Sequence, residues 1–214
     1  MQVISVNVGL PREVPWRGKT VTTGIFKDPI WERVMLRVLN LDGDRQADLT
    51  VHGGLDKAAY AYPSEHYEYW RNELPNASLT WGAFGENFTT VGLREDAINI
   101  GDRFRIGKAE VMVTQPRMPC YKLGIRFGRT DIVKLFLASR RTGFYFSVLQ
   151  EGEVGTGDTL ELVHQDENQI KVADITRLYL HETNDSDLLH RVVQLQALPA
   201  SWRDYFIKYM NKHQ

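Results

Sequence analysis

The chain contains one cysteine, and that scarcity limits its chemistry. A single thiol in 214 residues cannot close an internal disulfide, build a multi-cysteine zinc site or hold an iron–sulfur cluster. No uninterrupted apolar run reaches the eighteen or so residues that a membrane-spanning helix needs. The opening MQVISVNVGL lacks the charged and apolar regions of a secretory signal. An excess of one charge is missing too: 26 basic residues stand against 27 acidic ones, a formal net charge of -1. That balance gives no broad positive field for polyanions, so any anion site must be local. Walker, HExxH and dinucleotide signatures are all absent. Together these features predict a soluble cytoplasmic protein with no membrane partner and no direct nucleic-acid binding.

A hydrophobic fraction of 43% suffices for a substantial core. The first three-quarters of the chain read mainly as short strands. QVISVNVG, TVTTGIF, ERVMLRVLNLDG, AINIGDRFRIG, AEVMVTQ, YFSVLQEG and DTLELVHQ alternate or are rich in β-branched residues, and Gly, Asp or Pro punctuates them. The pairs Gly101-Asp102 and Gly157-Asp158 read as turns between barrel strands. Two helical stretches interrupt the strands: SEHYEYWRNEL, with Ser64 as N-cap, and RTDIVKLFLASR, with Thr130 or Asp131 as cap and Ile132, Leu135 and Phe136 on one face. Beyond residue 167 the period becomes helical. NQIKVADITRLYLHE, SDLLHRVVQLQAL and SWRDYFIKYMN each carry an apolar stripe, the last one Trp202, Tyr205, Phe206 and Tyr209 behind an N-cap at Ser201. The expected architecture is mostly β with appended α. A closed β-barrel domain with crossover helices spans 1–167, and a three-helix domain spans 168–214. Three helices this short need a partner surface, which the barrel, the helices themselves or a second copy in a homodimer would provide.

The residues able to carry chemistry fall in four stretches. TQPRMPC places Cys120 behind Pro116 and Pro119, which fix two φ angles, while Arg117 and Lys122 add positive charge nearby. Such a setting suits a nucleophile or a soft-metal ligand better than an inert buried thiol. DLTVHGGLDKAAYAYP joins His52 and Lys57 through a Gly53-Gly54 turn able to hold a phosphate, although a plain hairpin turn explains it as well. WRGKTVTTGIF offers the Lys19 ammonium and the Thr20 hydroxyl at a strand entrance, which fits an anionic ligand or ordinary turn polarity. In GAFGENFTTVGL the amide of Asn87 lies in apolar surroundings, so it either stitches loops together or hydrogen-bonds a heterocycle. His66, His164, His181, His190 and His213 show no metal-ligand spacing and read as surface or packing residues.

These stretches in this order resemble the MOSC (molybdenum cofactor sulfurase C-terminal) domain family and its YiiM-like branch, which carries a C-terminal 3-alpha domain. The resemblance rests on GKT at 18–20, DLTVHGGLDKAAYAYPSEHYEYW at 48–70, GENFTTVGL at 85–93, IGDRFRIGKAEVMVTQPRMPC at 100–120 and RTGFYFSVLQEGEVGTGD at 141–158. It implies a MOSC-type barrel whose pocket holds a molybdopterin-type molybdenum cofactor, with Cys120 bound to molybdenum. It implies cofactor contacts at Lys19, Thr20, Arg45, His52, Lys57, Asn87 and Arg117, with catalytic roles for Cys120 and for His52 as candidate proton donor. The implied reaction is reduction of small N-hydroxylated compounds, such as the purine base 6-hydroxylaminopurine. Electrons must come from a separate reductase, because no iron–sulfur or flavin motif is visible. Two other readings stay open on the sequence: a persulfide carrier that passes sulfur to a metal cofactor, and a non-catalytic pterin-binding module.

Overall fold

The computed structural model describes residues 1–47 and 53–213. Twelve strands and six helices are described. The strands are β1 (Gln2–Val8), β2 (Arg12–Trp16), β3 (Lys19–Thr23), β4 (Asp28–Ile30), β5 (Val34–Leu36), β6 (Ala59–Pro63), β7 (Phe88–Val91), β8 (Arg103–Ile106), β9 (Ala109–Pro116), β10 (Phe144–Gln150), β11 (Gly152–Val154) and β12 (Leu160–His164). The helices are α1 (His66–Glu73), α2 (Tyr121–Phe127), α3 (Ile132–Ser139), α4 (Val172–Tyr179), α5 (Ser186–Gln194) and α6 (Ala200–His213).

Eight strands form one sheet in the order β12-β8-β9-β10-β6-β7-β1-β4, while β11-β5 and β2-β3 form separate ribbons. Every ladder is antiparallel except β6 with β7. A parallel neighbour requires a crossover, and residues 64–87 supply one that contains α1. The expected closure is incomplete. The seam between β1 and the segment leading into β12 includes the bridge Gln2↔Thr159 and the bonds Val3 N→Asp158 O (2.9 Å), Gly157 N→Val3 O (2.8 Å) and Leu160 N→Met1 O (3.0 Å). Further along, β1 pairs at Val6–Val8 with β4. That strand is three residues long and contains Pro29, which has no N–H for a ladder.

Strand alternation sorts the side chains into two cores. From β6, Ala59 and Ala61 join an aliphatic cluster with Val111, Val113, Phe144 and Phe146. Tyr60 and Tyr62 point the other way, into an aromatic cluster with Tyr67, Trp70, Phe84 and Phe136. Gly143 lies at the end of this seam with φ +60°, and an added Cβ there would stand 2.4 Å from the Ala61 carbonyl oxygen and 2.7 Å from the Tyr60 ring. Glycine is therefore required at that position.

The three C-terminal helices dock on the barrel. Ile170, Val172, Ile175, Leu178, Val192, Leu195, Leu198 and Phe206 belong to the same aliphatic cluster as the barrel strands. The expected boundary at 167 lies in the connection between β12 and α4.

Two of the three expected caps differ from the structure. Helix α1 starts at His66, with Glu65 at the N-cap position, and Ser64 contributes its carbonyl to Tyr67 N (3.0 Å). Helix α6 starts at Ala200, so Ser201 lies inside it, and Pro199 O accepts from Trp202 N (3.0 Å). Asp131 does hold the N-cap position of α3, but its carboxylate binds Arg129 rather than the helix. Among the described residues no helix is long and apolar enough to cross a membrane.

Candidate functional site

Strand β9 delivers the chain to its thiol. It is held by β8 over Ala109–Met112 and by β10 up to the pair Pro116↔Phe144. The next backbone group, Arg117 N, donates to Gly143 O (3.2 Å). Met118 and Pro119 follow, and Cys120 is extended (φ -122°, ψ 174°) at the start of α2, where its carbonyl accepts from Leu123 N (2.9 Å). Cys120 is half-buried. The proline-stiffened loop expected from the sequence is thus anchored at both ends.

Cys120 opens onto a narrow cleft of about 80 Å³. Lys27, Lys57, Arg117 and Lys122 line it against one carboxylate, Asp44, among the described residues. These five groups are not equivalent. Lys27 is paired with Asp44, and both side chains are buried. Asp44 also accepts from Gly9 N (2.9 Å) and from Asn87 Nδ2 (2.9 Å), so its charge is fully employed.

Arg117 is 6% exposed, and its Nη1 has no hydrogen-bond partner. Its guanidinium lies 5.3 Å from the Tyr60 ring centre and 5.1 Å from that of Phe136, between two aromatic faces. Stacking orients the group but does not satisfy the donor. A buried, permanently charged guanidinium with an unused N–H is complementary to an anion.

Two further groups differ from their ordinary behaviour. Burial lowers the Lys57 ammonium below the usual lysine range, with Asp56 opposing the shift. Burial raises the Tyr145 phenol above its usual value, with Arg117 opposing. Tyr145 therefore keeps its proton through neutral pH, while Lys57 gives one up more readily than an exposed lysine does. Gly54, with φ +99°, begins the 3₁₀ turn Leu55–Lys57 that presents Lys57. The Asp56 carbonyl in that turn accepts from Thr114 Oγ1 (2.7 Å) and from Gln115 Nε2 (3.2 Å), which ties it to β9.

The residues expected from the sequence are divided by the fold. Cys120, Arg117, Lys57 and Asn87 come together in the cleft. Asn87 acts there as a stitch: Nδ2 donates to Asp44 and to Asn7 O (3.3 Å), while Oδ1 accepts from Tyr60 N (3.1 Å). Lys19 and Thr20 are exposed on the β2-β3 hairpin, Arg45 is exposed, and none of the three is among the described residues lining the cleft. Two-strand ribbons project from a sheet, which is why polarity at 18–20 reads equally well as a turn. His52 lies outside the described residues.

Sequence reading did not single out Lys27, Asp44 or Tyr145. Lys27 closes the apolar run GIFK, and Tyr145 is the half-buried member of an alternating strand; neither pattern marks a site. No three His, Cys, Asp or Glu side chains converge to hold a metal among the described residues.

Comparison with known proteins places this geometry in a family. The sequence matches the model of the MOSC domain over residues 48–161 and that of the YiiM-like, 3-alpha helix domain over residues 172–212. It is 44% identical over 206 residues to the uncharacterized protein YflK of Bacillus subtilis, covering 96% of this chain and 93% of that protein. The crystal structure of YiiM from Geobacillus stearothermophilus superposes with a TM-score of 0.81 at 37% identity, with 97% of both chains covered. A protein named reductase from Gibberella moniliformis is 30% identical over 181 residues, which span 83% of this chain and 32% of that protein. With both of its regions matched in order, the chain belongs to the MOSC domain family, in the YiiM-like group that carries a 3-alpha helix domain.

Proposed function

We propose that the protein is a molybdenum-cofactor-dependent reductase of small N-hydroxylated compounds, N-hydroxylated purine bases among them. The observation that carries this reading is the buried Arg117 guanidinium, whose unpartnered Nη1 belongs to the same cleft as the chain's single thiol. A thiolate suits a soft metal, and clustered cations suit the phosphate of an anionic cofactor, so the donor set fits a molybdopterin-type group. Membership of the MOSC family and the distant relative named a reductase support the same class.

Cys120 would ligate the metal, while Arg117, Lys57 and Lys122 would hold the anionic part. When bound, the cofactor supplies the two-electron redox capacity that the chain's own residues lack. The overall change is R–NHOH + 2 e⁻ + 2 H⁺ → R–NH₂ + H₂O, with electrons drawn from a separate reductase. The chain's residues orient the N–OH group, keep a proton on Tyr145 Oη and hold one on Lys57 Nζ, an ammonium that burial makes a better donor than an exposed lysine. Lys57 and Tyr145 join His52, which lies outside the described residues, as candidate proton donors.

The test is expression in a host competent for molybdopterin synthesis, molybdenum and pterin quantification, and an anaerobic assay with reduced viologen and a panel of N-hydroxylated bases. Stoichiometric molybdenum with turnover of the panel is expected. A fully loaded, inactive protein refutes the reading.

A further inference from the structure

A second cleft shares Lys57, Cys120 and Tyr145 with the first. Its far wall belongs to the C-terminal helices: Tyr179 from α4 and Ser201, Trp202 and Tyr205 from α6. Tyr179 lies 5.4 Å from the Trp202 ring and 5.4 Å from the Tyr205 ring, centre to centre, and all three rings are half-buried. All three pack against the aliphatic core on one side and line the cleft on another. Gln115 fixes the wall in place. Its Oε1 accepts from Trp202 Nε1 (2.7 Å) and its Nε2 donates to Asp56 O (3.2 Å), so one side chain ties the indole to the turn that carries Lys57. Its cavity volume of about 390 Å³ lies within the range of small-molecule sites, and aromatic walls with few polar groups select flat rings.

We infer that the C-terminal helical unit forms one wall of the substrate site, a stacking surface for a planar aromatic ring whose N–OH group reaches toward Cys120. This inference rests on the reductase reading for the reaction and adds the element that chooses the substrate. The ring would stack on Trp202 and Tyr205, and Ser201 stands at the exposed edge of the cleft. In this arrangement the helices discriminate between ring-bearing and ringless N-hydroxylated compounds, a distinction that the barrel cleft alone does not provide.

The test compares 6-hydroxylaminopurine with hydroxylamine on the molybdenum-loaded protein and measures calorimetric binding of 6-hydroxylaminopurine. Three variants are used: Trp202→Leu, Tyr205→Leu and Ser201→Trp. The last fills the cleft from an exposed position and leaves the core packing alone. Losing one stacking partner should lower the ratio of kcat/KM for 6-hydroxylaminopurine over hydroxylamine by about tenfold or more, with molybdenum content unchanged. An unchanged ratio in all three variants overturns the inference. If wild-type protein reduces neither compound, the reductase reading fails. In that event, binding of 6-hydroxylaminopurine that Ser201→Trp weakens still upholds the wall, and absence of binding refutes it as well.

Discussion

Replacing Arg117 with methionine should stabilise the metal-free protein while weakening its hold on anions. The guanidinium is 6% exposed and its Nη1 has no partner, so the folded state bears a desolvation cost of about 1–3 kcal/mol for that donor. Methionine keeps most of the length and the contact with Tyr60 and Phe136, and forfeits a cation–π attraction of roughly 0.5–2 kcal/mol. The difference favours the variant by about 1 kcal/mol, a rise of roughly 2–4 °C in Tm for a chain of this size. In the other direction, a charge-assisted hydrogen bond of about 1.5–3 kcal/mol disappears from any bound anion. That loss corresponds to roughly 10–150-fold in affinity. The assay is thermal unfolding of the metal-free protein with and without pyrophosphate, followed by cofactor content after expression in a molybdopterin-producing host. Opposite signs for the two effects mark a residue kept for binding at the expense of stability. A lower Tm with an undiminished pyrophosphate response would show that Arg117 is a strut for the aromatic core, and the anion argument would fall with it.

Cys120→Ser should leave Tm within about 2 °C, since the side chain is half-buried and nearly isosteric, yet reduce molybdenum content to background because oxygen is a poorer ligand for a soft metal. Stoichiometric molybdenum in that variant would remove the thiol from the site. Glu86→Gln should cost about 1–3 kcal/mol, measured by urea unfolding, because Tyr67, Gly82, Phe84 and Thr89 all donate to the carboxylate and an amide nitrogen cannot accept. Burial raises the Glu86 carboxyl above its ordinary range despite those donors. Its contribution to stability is therefore full in acid and declines as pH rises through the folded value, so the gap between wild type and Glu86→Gln should narrow from acid to neutral pH. A gap that widens instead would reverse the assigned shift. Gly143→Ala should destabilise by at least about 2 kcal/mol, a fall of roughly 4–8 °C, because the new methyl meets the Ala61 carbonyl at a positive φ. An unchanged melting curve would contradict that geometry.

Strands β9 and β10 were legible because each carries an alternating pattern longer than a turn, and the three C-terminal helices were legible from their stripes. Strands β4, β5 and β11 have three residues each, too few for any period to register. Helix α2 was hidden by Gly124 in its middle, where any side chain would press against the Arg129 carbonyl; a residue read as a helix breaker is there for packing.

Within the site, Cys120 and Arg117 were readable because local proline and charge make their surroundings unusual. Lys19 and Thr20 were nominated from their place at a strand entrance and Arg45 through likeness to the family, and all three are exposed. For Asn87 the need for partners was clear from its surroundings, but their identity as Asp44, Asn7 and Tyr60 depends on contacts far apart in sequence. Trp202 and Tyr205 read as packing residues, and the open side of their rings is visible only once the helices are docked.

The aliphatic core runs without a break from the barrel strands through Ile175 and Leu178 into Val192 and Phe206. Two stretches that look interchangeable along the chain are therefore thermodynamically one body. Transplanting the helices onto another barrel would carry over half an interior with no matching half. Exchange of this unit between related proteins is expected to succeed only when the β9 surface and Gln115 travel with it.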